Sequence, residues 1–157
     1  MKVLTTIKHA YILEYADYFQ DKQGYSYYLT RFLDSRSKSE YSGRTAKEIL
    51  DLEEDFCISY GDRYERWLYR LTLALRYLSE RNIIHRNIRL ETIYLNGDNE
   101  PKAFLGDFYL QSNKYISTVE VGDLAYTAKE IINSKDNPSY DTKVDVYSLG
   151  VLMIALF

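Results

Sequence analysis

Six apolar residues constrain this chain more than anything else in it. Tyr64, Trp67, Leu68, Leu71, Leu75 and Leu78 stand at i, i+3, i+4, i+7, i+11 and i+14, the spacing of one face of an α-helix. A helix over 62–80 with that stripe needs a core built against it, and a chain of 157 residues is long enough to supply one as a single domain. Local signals on either side of it alternate. Ile12 to Phe19 and Tyr25 to Phe32 read as two strands, joined by Asp21-Lys22-Gln23-Gly24 with glycine where a hairpin needs positive φ. Residues 1–8 read as the end of a helix, 34–44 as a polar loop and 45–55 as a short acidic helix. After the long helix come short strands around Ile83-Ile84, Ile93 to Leu95 and Ala103 to Leu105, with Asn96-Gly97-Asp98-Asn99 as a turn. Residues 107–130 lack periodicity, and a loop of that length in a compact domain is commonly functional or disordered. A last helix starts near Thr142 and runs to the end, becoming fully apolar. The fold class is therefore α+β.

Charge and cysteine usage exclude several classes. A net charge of −3 argues against nucleic acid or an acidic membrane surface as a partner, which would need a basic face. Cys57 is the only cysteine, so no intrachain disulfide can form, and a reducing, intracellular and cytoplasmic setting is expected. The opening MKVLTTIKHAY has no apolar core long enough for a signal peptide. The longest apolar run, Leu149 to Phe157, is about half a membrane span. The 17 tyrosines read as packing and strand residues.

Four motifs then follow in order. They are His85-Arg86-Asn87-Ile88-Arg89-Leu90-Glu91-Thr92, Gly106-Asp107-Phe108-Tyr109, Val121 to Glu130 (VGDLAYTAKE), and Asp145-Val146-Tyr147-Ser148-Leu149-Gly150. Their order and spacing resemble the catalytic loop, the D-F-G segment, the A-P-E segment and the buried central helix of eukaryotic-type protein kinases. Each motif alone is weak; four in order are strong. The phrasing is similar to that of NIMA-related serine/threonine kinases. The resemblance implies a kinase-like α+β fold: residues 1–33 as the end of the small lobe and hinge, 34–157 as the first, mainly helical part of the large lobe. It also puts Leu4, Tyr15, His85, Phe108 and Asp145 in a stacked column of core residues.

The departures shape the expected function. The catalytic-loop aspartate that accepts the substrate proton is Asn87 here, and an amide cannot take a proton as a carboxylate does. General-base assistance is typically worth ~10²–10⁴ in rate. The second metal ligand of the family is Thr92, the loop lysine is Arg89, and the threonine that contacts both is Asp123. Asp123 is expected to pair with Arg89 and accept from the Asn87 amide. Asp107 keeps the position of the Mg²⁺-holding carboxylate, and Leu29, Thr30 and Arg31 the hinge. No G-x-G-x-x-G and no strand lysine of the V-A-I-K type occur, so ATP and Mg²⁺ are expected to bind weakly or not at all. Three readings stay open: a pseudokinase working through protein partners, a weakly active serine/threonine kinase, and a partial gene product without a dedicated role. Because the chain stops at Phe157 inside its apolar helix, a fragment or truncated product is expected, with LGVLMIALF as a candidate surface for self-association.

Overall fold

The computed structural model describes residues 4–31, 43–52, 61–97, 100–108, 124–133 and 140–157. Its strands are β1 (Tyr15–Gln20), β2 (Ser26–Thr30), β3 (Ile93–Asn96) and β4 (Lys102–Leu105), and its helices α1 (Ala46–Leu52), α2 (Gly61–Ser79), α3 (Lys129–Ile132) and α4 (Lys143–Leu156). Single 3₁₀ turns lie at Leu4–Thr6, Leu90–Thr92 and Leu124–Tyr126.

The stripe on α2 organises the core. Tyr64, Trp67, Leu71, Leu75 and Leu78 are buried, and Leu68 packs half-buried at its edge. They meet Ile49 of α1, Ile93, Leu95 and Leu105 of the strands, and Leu152 and Leu156 of α4 in one cluster. The Trp67 indole N–H, which burial would otherwise strand, donates to the Pro101 carbonyl at 2.8 Å. At the start of α1, Thr45 and Glu48 close a reciprocal cap: the Thr45 N–H reaches Glu48 Oε2 at 2.7 Å and the Glu48 N–H reaches Thr45 Oγ1 at 3.2 Å.

Two antiparallel pairs, β1–β2 and β3–β4, make up the sheets. The hairpin turn forms as its sequence implies, with Gly24 at φ 92 and the Asp21 carboxylate accepting the N–H groups of Gln23 and Tyr25 at 2.9 Å. The run from Ile12 to Phe19 is divided between the two sheets rather than forming one strand. Leu105 donates to the Tyr11 carbonyl and Leu13 to the Leu105 carbonyl, both at 2.9 Å, so residues 11–13 lie parallel to β4 before the chain turns into β1. On the other side, the Leu95 N–H bonds the Arg44 carbonyl at 2.8 Å and Thr45 bridges Tyr94. The backbone of residues 11–13 is thereby joined through β4 and β3 to the entry of α1, and the loop entering β3 shares one end with the segment leaving β4.

Two expectations are corrected. Residues 1–8 do not form the end of an α-helix where described, only the turn at Leu4–Thr6. Ile83 and Ile84 are not in a strand. Asn82 sits at φ 54 after the end of α2 and reverses the chain, which sends Ile83 toward the main core and Ile84 into a second cluster with Ala128, Ile131 and Val144.

Candidate active site

The segment from His85 to Thr92 is held by bonds to buried groups at both ends. At its start, the N–H groups of His85 and Arg86 donate to Asp145 Oδ2 and Oδ1 of α4 at 2.8 and 2.9 Å. Burial pushes the Asp145 carboxyl above the usual range, and these two amides pull against that. Arg86 adopts φ 66 to make the turn. The His85 ring is fully buried and bonds the Gly106 carbonyl through Nε2 at 2.8 Å, while its Nδ1 accepts the Asn87 N–H at 3.2 Å. That pattern requires the neutral Nε2–H tautomer, and burial lowers the ring's pKa to about 3. His85 is thus a fastener between two loops and carries no proton to a substrate.

At the other end, Thr92 closes the loop. Its hydroxyl, 1% exposed, donates to the Asn87 carbonyl at 2.7 Å and accepts the Arg89 N–H at 3.2 Å. The Gly106 N–H donates to the Thr92 carbonyl at 3.0 Å. The loop and the Asp107 segment are therefore stitched together on both sides, by His85 and by Thr92. Between these stitches the Asn87 side-chain amide donates to the Asp107 carbonyl at 3.0 Å.

Asp107 is exposed at the end of β4, with φ 51, a conformation that non-glycine residues adopt only when their surroundings enforce it. Its carboxylate Oδ2 accepts the Tyr94 hydroxyl at 2.6 Å. The next residue, Phe108, turns inward. Its ring meets His85 at 4.2 Å and Tyr15 edge-on at 5.8 Å, and its N–H donates to the Tyr15 hydroxyl at 3.3 Å. Tyr15, Phe108, His85 and Asp145 form a continuous column from β1 to α4, as the sequence implied; the Leu4 side chain lies outside the described set.

The other expected residues fall further off. Arg31 is tied to Glu14, through its N–H to the Glu14 carbonyl at 2.8 Å and its Nε to Oε2 at 3.2 Å. Leu29 is half exposed on β2, opposite Asp17. Their link to Asp107 runs through Thr30, which pairs with Tyr15. Arg89 Nε is buried without a hydrogen bond among the described residues, with Glu91 at 3.8 Å. Asp123, expected beside Asn87 and Arg89, lies outside the described residues. The structure brings Asn87, Thr92 and Asp107 together; it does not join Leu29 or Arg31 to them directly.

One residue of this site escaped the sequence reading. Tyr94 stands between two core residues of β3, Ile93 and Leu95. Strand alternation puts it on the opposite face, and that was the available signal.

The family model for the protein kinase domain matches residues 1–157. The chain belongs to the protein kinase family. A crystal structure of the PknI kinase domain from Mycobacterium tuberculosis, in a doubly mutated form, superposes with a TM-score of 0.73 at 20% identity, over 99% of this chain and 53% of that one. This kinase domain is also similar to the serine/threonine-protein kinase Nek3 of Oryza sativa subsp. japonica, at 30% identity over 96% of the chain and 24% of the relative. Rice Nek6 is 29% identical over 99% of the chain and 27% of the relative. An Aurora kinase of Encephalitozoon cuniculi is 30% identical over 97% of the chain and 51% of the relative. The chain thus spans about a quarter to a half of the length of these curated relatives. Three of the four sequence motifs meet here: the loop at 85–92, the segment at 106–108 and the start of α4 are joined by the bonds of His85, Asn87 and Asp145.

Proposed function

We propose that this kinase-family domain is impaired in phosphoryl transfer and acts through contacts with other proteins. The observation that carries the reading is the Asn87 amide. It stands beside Asp107, where the family resemblance expects a proton-accepting carboxylate, and one of its N–H groups is spent on the Asp107 carbonyl at 3.0 Å. An amide there can orient a hydroxyl and cannot accept its proton, which forgoes a factor of ~10²–10⁴ in rate.

The residues toward Mg²⁺ support the same reading. A bound divalent cation would neutralise phosphate charge, and this needs oxygens that are free to face it. Thr92 spends its hydroxyl proton on the Asn87 carbonyl and lies buried in the loop. Asp107 remains as one exposed carboxylate, with one oxygen already accepting a phenol. This donor set fits a pair of cations poorly. On the nucleotide side, Arg31 is engaged by Glu14. Weak or absent binding of ATP and Mg²⁺ follows from these commitments.

A second reading, a weakly active ATP-dependent serine/threonine kinase, is favoured by the packed Tyr15–Phe108–His85 column and by relatives named as serine/threonine kinases. Under either reading the exposed apolar residues Val146, Met153 and Ile154 of α4, with Phe157 just after it, offer a surface for a protein partner or a second copy. No helix among the described residues is long and apolar enough to cross a membrane.

The test is thermal melting with ATP and Mg²⁺ beside a phosphoryl-transfer assay. Little or no rise in the melting midpoint and no transfer are expected, and Asn87→Asp should not restore transfer by itself. A clear rise that vanishes in Asp107→Asn, together with measurable transfer, overturns the reading in favour of the weak kinase.

A further inference from the structure

Tyr94 is placed by three independent features. Ile93 and Leu95 are 1% and 0% exposed on the core side of β3, so alternation turns Tyr94 to the opposite face. Its ring then lies along the backbone at Gly106. A Cβ added at Gly106 would stand 2.6 Å from Leu13 Cδ1, 2.8 Å from Tyr94 Cε2 and 2.9 Å from Tyr94 Cδ2, so the absence of a side chain there is what admits the ring. Finally, the left-handed backbone at Asp107 is fixed from both sides. Asn87 Nδ2 holds its carbonyl and the Tyr15 hydroxyl accepts the next N–H. Ring and carboxylate are thereby aimed at each other, and the phenol oxygen lies 2.6 Å from Asp107 Oδ2.

We propose that Tyr94 is a built-in competitor for the Asp107 carboxylate, its hydroxyl holding the oxygen that a divalent cation would otherwise take. The phenol hydroxyl is the donor of this bond and the carboxylate oxygen its acceptor. A hydrogen bond to an ionised acceptor is among the stronger ones in a protein, and a cation must break it or settle for a single oxygen. The chain closes its own carboxylate from within, by a side chain from the neighbouring strand. This inference rests on the reading of Asp107 as the remaining cation ligand of an impaired site, and it names the residue that adds to the impairment.

The experiment uses the full chain and Mn²⁺ alone, without nucleotide. Paramagnetic broadening of the backbone amide signals of residues 106–108 is followed against Mn²⁺ concentration in the wild type, Tyr94→Phe and Tyr94→Leu. Phenylalanine keeps the ring and removes only the donor; leucine removes both and retains an apolar strand residue, so the question survives if one variant folds poorly. The metal-free amide spectrum and melting midpoint report folding. Either folded variant should bind Mn²⁺ about tenfold tighter or more than the wild type, and Asp107→Asn added to it should abolish the gain. Affinity within about twofold of the wild type in the folded variants, or a gain that persists with Asp107→Asn, overturns the proposal. Phosphoryl transfer by the wild type would sink the impaired-kinase reading instead, so the two ideas fail on different readouts.

Discussion

At His85, burial works against protonation in a way that acid should expose. The ring keeps its neutral form in the fold, with a pKa near 3 against 6.5 when free, because its surroundings exclude water. An unfolded chain takes up that proton as pH falls through 6.5, and the fold does not follow until about pH 3. The stability tied to His85 is complete above 6.5 and drains below it, by about 1.4 kcal/mol per pH unit. Asp145 works in the opposite sense: its raised carboxyl lets the folded state accept a proton early, which offsets part of the loss at the acid end. Urea unfolding should therefore give a stability lower by about 1–2 kcal/mol at pH 5 than at pH 7. Equal values would mean that the ring is not buried neutral. At this scale, much of the site was readable. The neighbourhood of Asn87 and Asp107 follows from motif order, because the two motifs have to meet for either to act. Tyr94 did not stand out, since a tyrosine between Ile93 and Leu95 reads as one more strand residue until the bare backbone of Gly106 reveals what it packs on.

Among the elements, α2 carries the clearest message, because one periodic stripe specifies both its conformation and its buried face. Leu71, at the middle of that stripe and 1% exposed, touches the cluster shared by strands and helices. Leu71→Ala should cost about 2–5 kcal/mol of unfolding free energy; a loss under about 1 kcal/mol would place the core elsewhere. Short apolar runs carry much less information. Ile83-Ile84 has strand composition, yet just after the turn made by Asn82 its two side chains serve two different clusters. Composition cannot foresee this, because both residues are satisfied by burial in any backbone shape. The run from Ile12 to Phe19 has the same ambiguity: its alternation says strand, and nothing in it says that Ile12 and Tyr15 belong to different sheets.

For the molecule as a whole, α4 leaves one apolar side uncovered. Ile154 is 78% exposed, Phe157 65%, Val146 61% and Met153 52%, while Val144, Leu152 and Leu156 on its other side are buried. The apolar character of this helix all round was plain in the sequence; which side would meet the core was not, since an evenly apolar helix has no stripe to read. Expressed alone, the chain should self-associate with rising concentration, and Ile154→Lys should shift it toward monomer in sedimentation velocity with its melting midpoint nearly unchanged. A wild type that stays monomeric at high concentration would count against a sticky α4.

Asp145 also carries a consequence in time. It receives the two amides that set the turn at His85 and Arg86, across a separation of 60 residues. A ribosome adding about 5–20 residues per second needs several seconds to make that stretch. During that interval the turn at His85 and Arg86 lacks its Asp145 anchor, although α2 behind it is already long enough to coil. The nascent chain passes through a state with its scaffold begun and its chemistry unshaped, and contacts of such long range are the slow ones to close. Chaperone dependence should then track the interval before residue 145 emerges. A change that weakens Asp145 would act on the yield of folded protein well before it acted on the folded protein itself.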